Sequence, residues 1–147
     1  MKVYPLKEIK AVWNVREDAP KWAAGARFTA SSEVARAFGF LRAETQESFW
    51  ALHLDAKNKP LCYQQVSVGS LTASIVHPRE VFKTALLSSA SSVLFVHNHP
   101  SGDPNPSRED RELTKRLRDG GELLGLRVLD HIIVGDDYYS FADHGEI

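Results

Sequence analysis

Apolar and polar positions divide the chain into helix-like and strand-like stretches. Val34, Phe38 and Leu41 recur at i, i+4 and i+7, and Ser31 stands where an N-cap belongs. A helix is therefore predicted from Ser31 to about Arg42. Phe49 to Asp55 alternates instead, with Trp50, Leu52 and Leu54 on one face, which predicts a half-buried strand. Lys57-Asn58-Lys59-Pro60 reads as a turn and Cys62 to Val68 as the returning strand. His77-Pro78-Arg79-Glu80 opens a second helix with proline in its first turn, where the missing N–H costs nothing. Its apolar stripe is Val81, Phe82, Ala85 and Leu86, and it fades near Ala90. Val93-Leu94-Phe95-Val96 is wholly apolar, the mark of a strand buried on both faces. A loop with Pro100, Gly102, Pro104 and Pro106 follows. Ser107 to Asp119 is then helical, and Gly120-Gly121 is expected to close it. Arg127 to Val134 and Tyr138 to Phe141 form a last hairpin around Gly135-Asp136-Asp137.

The order is helix, two strands, helix, strand, helix, two strands. It predicts an α/β fold of the α+β kind, one mixed sheet with helices packed on it, without the regular alternation of a doubly wound fold. Residues 1 to about 30 read as irregular, with Pro5, Pro20 and the run Ala23-Ala24-Gly25-Ala26; Lys2 to Val12 is either a strand or a short helix. At 147 residues the default is one domain with a sizeable core. The lone cysteine, Cys62, excludes an intramolecular disulfide and a cysteine-rich zinc site, and it suits a reducing cytosol. The 18 basic and 19 acidic residues nearly cancel, so the strong positive bias of a dedicated nucleic-acid binder is missing. No apolar run approaches the roughly 20 residues of a membrane helix, and Met1 to Lys10 carries no signal-peptide core. A cytoplasmic protein is expected.

The chemistry concentrates between the buried strand and the helix after it: His97-Asn98-His99-Pro100, then Ser107-Arg108-Glu109-Asp110. In extended chain, residues i and i+2 face the same way, so His97 and His99 can aim two imidazoles at one point. Asp110, Leu113, Thr114 and Leu117 share the inward face of the helix, whereas Arg108, Arg111, Lys115 and Arg118 take the opposite one. A carboxylate turned towards a core is costly unless it is paired or binds a metal. Two histidines and one aspartate would leave a fourth position open, the pattern of a catalytic zinc site rather than a structural one. Ser107 and Asp110 also have the spacing of a capping pair, and the two roles are compatible.

These residues resemble a known family. His97, His99, Ser107 and Asp110 match the JAMM signature of MPN-domain metallopeptidases, zinc hydrolases of peptide or isopeptide bonds. Val76-His77-Pro78-Arg79-Glu80, the loop His97 to Pro104, Pro106-Ser107, Leu123-Leu124-Gly125 and Asp130-His131-Ile132-Ile133-Val134-Gly135 are similar to the bacterial RadC branch. The resemblance implies an MPN fold with cytidine-deaminase-like layering over residues 41–147; residues 1–40, which it does not explain, read as an N-terminal extension with one short helix packed on the core. It implies one Zn2+ per chain on His97, His99 and Asp110. It further implies Ser107 as oxyanion donor and an upstream glutamate as general acid and base. That glutamate aligns with Glu47, with Glu44 three residues earlier as the alternative. A protein or peptide would be the substrate. The stretches between Asp55 and Val93 and between Asp119 and Arg127 leave little room for the insertions that ubiquitin-directed relatives use.

Other readings are weaker. The RadC name carries a DNA-repair association, which would make the chain a nucleic-acid-binding or nuclease-like protein, but no stretch is long enough for the helix-hairpin-helix region of larger RadC-like chains. The adjacent letters His97-Asn98-His99 are weak evidence for an HNH nuclease, whose residues are dispersed. A non-catalytic MPN scaffold is the third reading, against which the ligand set looks complete. The basic stripe reads as a solvated helix face. Asp103 reads as an Asx-Pro turn residue that could approach the metal. His131 and Asp130 alternate across a strand and so cannot both face it. Trp13, Trp22 and Trp50 read as core or partner contacts.

Overall fold

A computed structural model describes residues 1–14, 27–69 and 76–147. Pro20, Trp22 and Ala23 to Ala26 lie outside the described residues. Five strands form one mixed sheet: β1 (Ser48–Leu54), β2 (Pro60–Val68), β3 (Ser92–Asn98), β4 (Arg127–Val134) and β5 (Tyr138–Ser140), in the order β2-β1-β3-β4-β5. All neighbours are antiparallel except β3 and β4, which run parallel. That pair requires a crossover, and helix α3 (Arg108–Leu124) supplies it.

Helix α2 (Pro78–Leu87) and α3 cover one face of the sheet, and α1 (Ser31–Ala37) with a following 3-10 turn covers the other. The period of two along β3 divides the core accordingly. Val93 and Phe95 pack with Val81, Phe82, Leu113 and Leu117; Leu94 and Val96 pack with Val34, Phe38 and Leu41. Helices pack on both sides of β1, so the predicted half-buried strand is in fact covered on both faces: Phe49 and Ala51 meet α2 and α3, and Leu52 and Leu54 meet α1 and the 3-10 turn. Phe49, Ala51 and His53 are as buried as Leu52 and Leu54.

Three further expectations need correction. The first helix is N-capped at Ala30, one residue early, because the Glu33 carboxylate accepts from Thr29 N (2.8 Å) and Ala30 N (3.2 Å). It stops at Ala37 and tightens into a 3-10 turn over Gly39–Ala43, which keeps Phe38 and Leu41, three apart, on the core side. The last helix does not end at Gly120-Gly121. It runs on to Leu124 and closes at Gly125, whose φ is 72°. The two glycines serve packing instead: a Cβ on Gly121 would lie 2.7 Å from Leu126 O, and one on Gly120 would lie 3.3 Å from the Phe82 ring. Lastly, Lys2 to Val12 is neither strand nor helix, and its side chains are exposed. The remaining elements fall within a few residues of their predicted bounds. None of the described helices is long and apolar enough to cross a membrane.

Candidate metal centre

The C-terminal ends of the parallel pair β3 and β4, the start of β1 and the N-terminus of α3 meet at one edge of the sheet. His97 closes β3 on the face turned to α2 and α3. His99 follows two residues on, with its N–H donating to Val134 O at 2.9 Å. Asp110 occupies the third position of α3. Its Oδ2 accepts from Ser107 N (2.8 Å), while Ser107 Oγ accepts from Asp110 N (3.1 Å). This capping box fixes the carboxylate and leaves Oδ1 aimed inward. Asp110 Oδ1 lies 3.3 Å from His97 Nε2, Asp110 Oδ2 lies 3.2 Å from His99 Nε2, and the two Nε2 atoms are 3.0 Å apart. Among the described residues, these three side chains form the one cluster that could hold a metal ion.

The hydrogen-bond network decides which ring nitrogens carry protons. His99 Nδ1 faces the Asp103 carbonyl at 2.7 Å, and a carbonyl only accepts, so Nδ1 is protonated and a neutral ring leaves Nε2 bare. Behind His97 runs a buried relay. Thr114 Oγ1 gives its only proton to Asp110 O (2.7 Å), so His131 Nδ1 must donate to Thr114 Oγ1 (2.6 Å). A neutral His131 then has a bare Nε2, which accepts from His97 Nδ1 at 2.7 Å. His97 Nε2 is therefore bare as well. Two lone pairs and a carboxylate converge with no shared proton among them, and a divalent cation suits that donor set.

Electrostatics treat the two imidazoles differently. Burial pushes both His97 and His131 below the usual imidazole range, against the pull of Asp110 on His97. Burial also lowers His99, but the Asp110 carboxylate and the Asp103 carbonyl outweigh it and raise the ring. Burial alone would raise Asp110; hydrogen bonds from His97, His99 and the Ser107 N–H hold it well below the carboxylate range. Burial thus favours a neutral His97 and its partners an ionised Asp110, while the proton that the raised His99 favours is one a bound cation would displace.

Glu47 directly precedes β1. Phe49 pairs with His97, and Glu47, two residues before Phe49, feels the charge of both histidines. Its negative charge raises both imidazoles. Glu44 is exposed at the end of the 3-10 turn. Ser107 is exposed, and capping uses a lone pair of its hydroxyl rather than its proton. His131 and Asp130 do face opposite ways: His131 backs His97, whereas Asp130 accepts from Ser140 Oγ, Ala142 N and His131 N. Asp103 accepts from Asn105 through its side chain and holds His99 through its backbone. The loop from His99 sits against the β4–β5 turn so closely that a Cβ on Gly135 would lie 2.3 Å from Gly102 O. Along the basic stripe Arg108 pairs with Glu112, Lys115 with Asp119, and Arg111 with Glu146. Trp50 packs against Phe38, Phe40 and Tyr63, and Trp13 is exposed. Sequence reasoning missed the function of Thr114; its place four residues after Asp110, one turn along the same helix face, was the available signal.

Fold and site together define an α/β protein whose central strand ends in a candidate three-ligand metal centre. The model of the RadC-like JAB domain matches residues 28–146, and the chain belongs to that family. It is 62% identical over 106 residues to a UPF0758 protein of Syntrophotalea carbinolica, covering 71% of this chain and 47% of that one. It is 59% identical over 106 residues to a UPF0758 protein of Methanosarcina acetivorans (71% and 46%). Over 121 residues it is 55% identical to one from Trichlorobacter lovleyi (81% and 53%). The chain spans about half the length of the curated relatives it matches.

Proposed function

We propose that the chain is a zinc-dependent hydrolase of the JAMM type that cleaves a peptide or isopeptide bond in a protein or peptide substrate. The observation that carries this reading is the convergence of the bare His97 and His99 Nε2 atoms with the ionised Asp110 carboxylate. These three residues would hold one Zn2+. A bound zinc supplies an acidified water and a Lewis-acidic site for the scissile carbonyl. Glu47, beside the ligands, takes the proton of the attacking water and returns it to the leaving amine. The Ser107 hydroxyl donates to the carbonyl oxygen as negative charge develops there. The His131–Thr114 relay keeps His97 in its ligating tautomer and moves no proton itself. The single thiol, Cys62, suits a reducing compartment, and we assign the protein to the cytoplasm.

The test pairs Glu47→Gln with Glu44→Gln after a screen of peptide and isopeptide libraries has found a cleaved substrate. Glu47→Gln should keep zinc and fold while losing about 100-fold to 10,000-fold in rate, and Glu44→Gln should stay near wild type. The reverse pattern would move the acid–base role to Glu44. Full activity in both would reject the mechanism.

A further inference from the structure

The residue between the two histidines has its own task. Asn98 lies on the opposite face of β3 from His97 and His99 and is 1% exposed. Its amide commits all of its hydrogen-bonding capacity. Oδ1 accepts from Ser48 N (2.8 Å) and Ser48 Oγ (3.2 Å). Nδ2 donates to Gln46 O (3.0 Å) and, at 3.4 Å, to Leu41 O. The groups it holds are the ones on either side of Glu47: the carbonyl before it and the N–H after it. From the β2 side, Gly69 N donates to Glu47 O at 2.7 Å. The backbone of Glu47 is thus clamped between β2 and a side chain of the strand that carries the histidines. Asparagine alone among residues of this length offers two acceptor and two donor positions; aspartate cannot donate, and leucine can do neither.

We propose that Asn98 is a positioning residue that sets the Glu47 carboxylate against the metal centre. One residue would then fix two relationships, the pair of ligands through the strand pleat and the acid–base group through its amide. The inference rests on the role given to Glu47 above, and it predicts that the influence of Glu47 on a bound cation depends on Asn98.

Zinc affinity, measured by competition with a chromophoric chelator, reads that dependence without any substrate. Four proteins make the cycle: wild type, Glu47→Gln, Asn98→Asp and the double variant, with Asn98→Ala as a second background. Removing the Glu47 charge should weaken zinc about threefold to tenfold in the wild-type background, with one zinc still bound at saturation. In either Asn98 background the same removal should change affinity less than about twofold. Asn98→Asp keeps the shape and both Ser48 contacts, whereas Asn98→Ala introduces no buried charge, so the cycle stands where either background folds. An equal effect of Glu47→Gln in all backgrounds would overturn the positioning role while leaving the proposed function intact. No effect of Glu47→Gln in the wild type would remove Glu47 from the centre and take this inference with it. Absence of zinc binding by the wild type would reject the metal reading itself.

Discussion

Thr114→Val tests the hydrogen-bond chain behind His97 most sharply. Valine matches threonine in shape but lacks the hydroxyl, and position 114 is 2% exposed, so water does not readily replace it. The change removes the acceptor of His131 Nδ1–H and the donor to Asp110 O, which lie 2.6 Å and 2.7 Å from Thr114 Oγ1. A buried donor left unsatisfied costs about 1–3 kcal/mol. For a chain of this size that lowers the melting temperature by about 2–4 °C per kcal/mol. The specific consequence lies at the centre. Without Thr114, His131 is free to carry its proton on Nε2, facing His97 Nδ1. His97 must then take its own proton on Nε2, the atom that would ligate. Loss of such a partner weakens metal binding typically 10-fold to 100-fold. Chelator competition gives the affinity and thermal denaturation of the metal-free protein gives the stability cost. Zinc affinity within twofold of wild type, in a protein destabilised as expected, would refute the assignment of protons along His97, His131 and Thr114.

Two further outcomes follow from other parts of the structure. Burial holds His53 down at about 4, against an ordinary value of 6.5, so its neutral form is favoured by folding. That stability is complete above pH 6.5 and is lost as pH falls towards 4, with a ceiling of about 3 kcal/mol. Denaturant titrations across that window should show a smaller slope in His53→Gln, and an unchanged slope would contradict the account. Gly135→Ala places a methyl against Gly102 O and must displace the loop that carries His99. It should lower both zinc affinity and melting temperature, whereas a variant equal to wild type in both would show that the loop tolerates the shift.

Much of this arrangement was legible in the sequence because local periodicity and the site coincide. His97 and His99 sit at a strand end, where the pleat alone sets two side chains on one face. Asp110 falls on an apolar helix stripe beginning at a capping serine, so its inward direction could be read without a structure. What escaped depends on long-range packing. Gly120 and Gly121 look like a helix stop, but the approach of the helix to Leu126 and Phe82 demands small residues there and overrides their low propensity. The second covered face of β1 follows from helices packed on both sides of the sheet, which its own alternation does not report. Thr114 and Asn98 were similarly opaque: each is an ordinary polar residue until the fold supplies His131 to one and the segment around Glu47 to the other.

The central claim is that His97, His99 and Asp110 hold one catalytic zinc, and elemental analysis of the purified protein tests it most directly. Wild type should carry about one zinc per chain, and His97→Ala/Asp110→Ala should carry almost none while remaining folded. The wild-type metal should also leave on acidification, because the imidazoles must be neutral to bind it. Full zinc content in the double variant, or in the wild type at pH 4, would contradict the account.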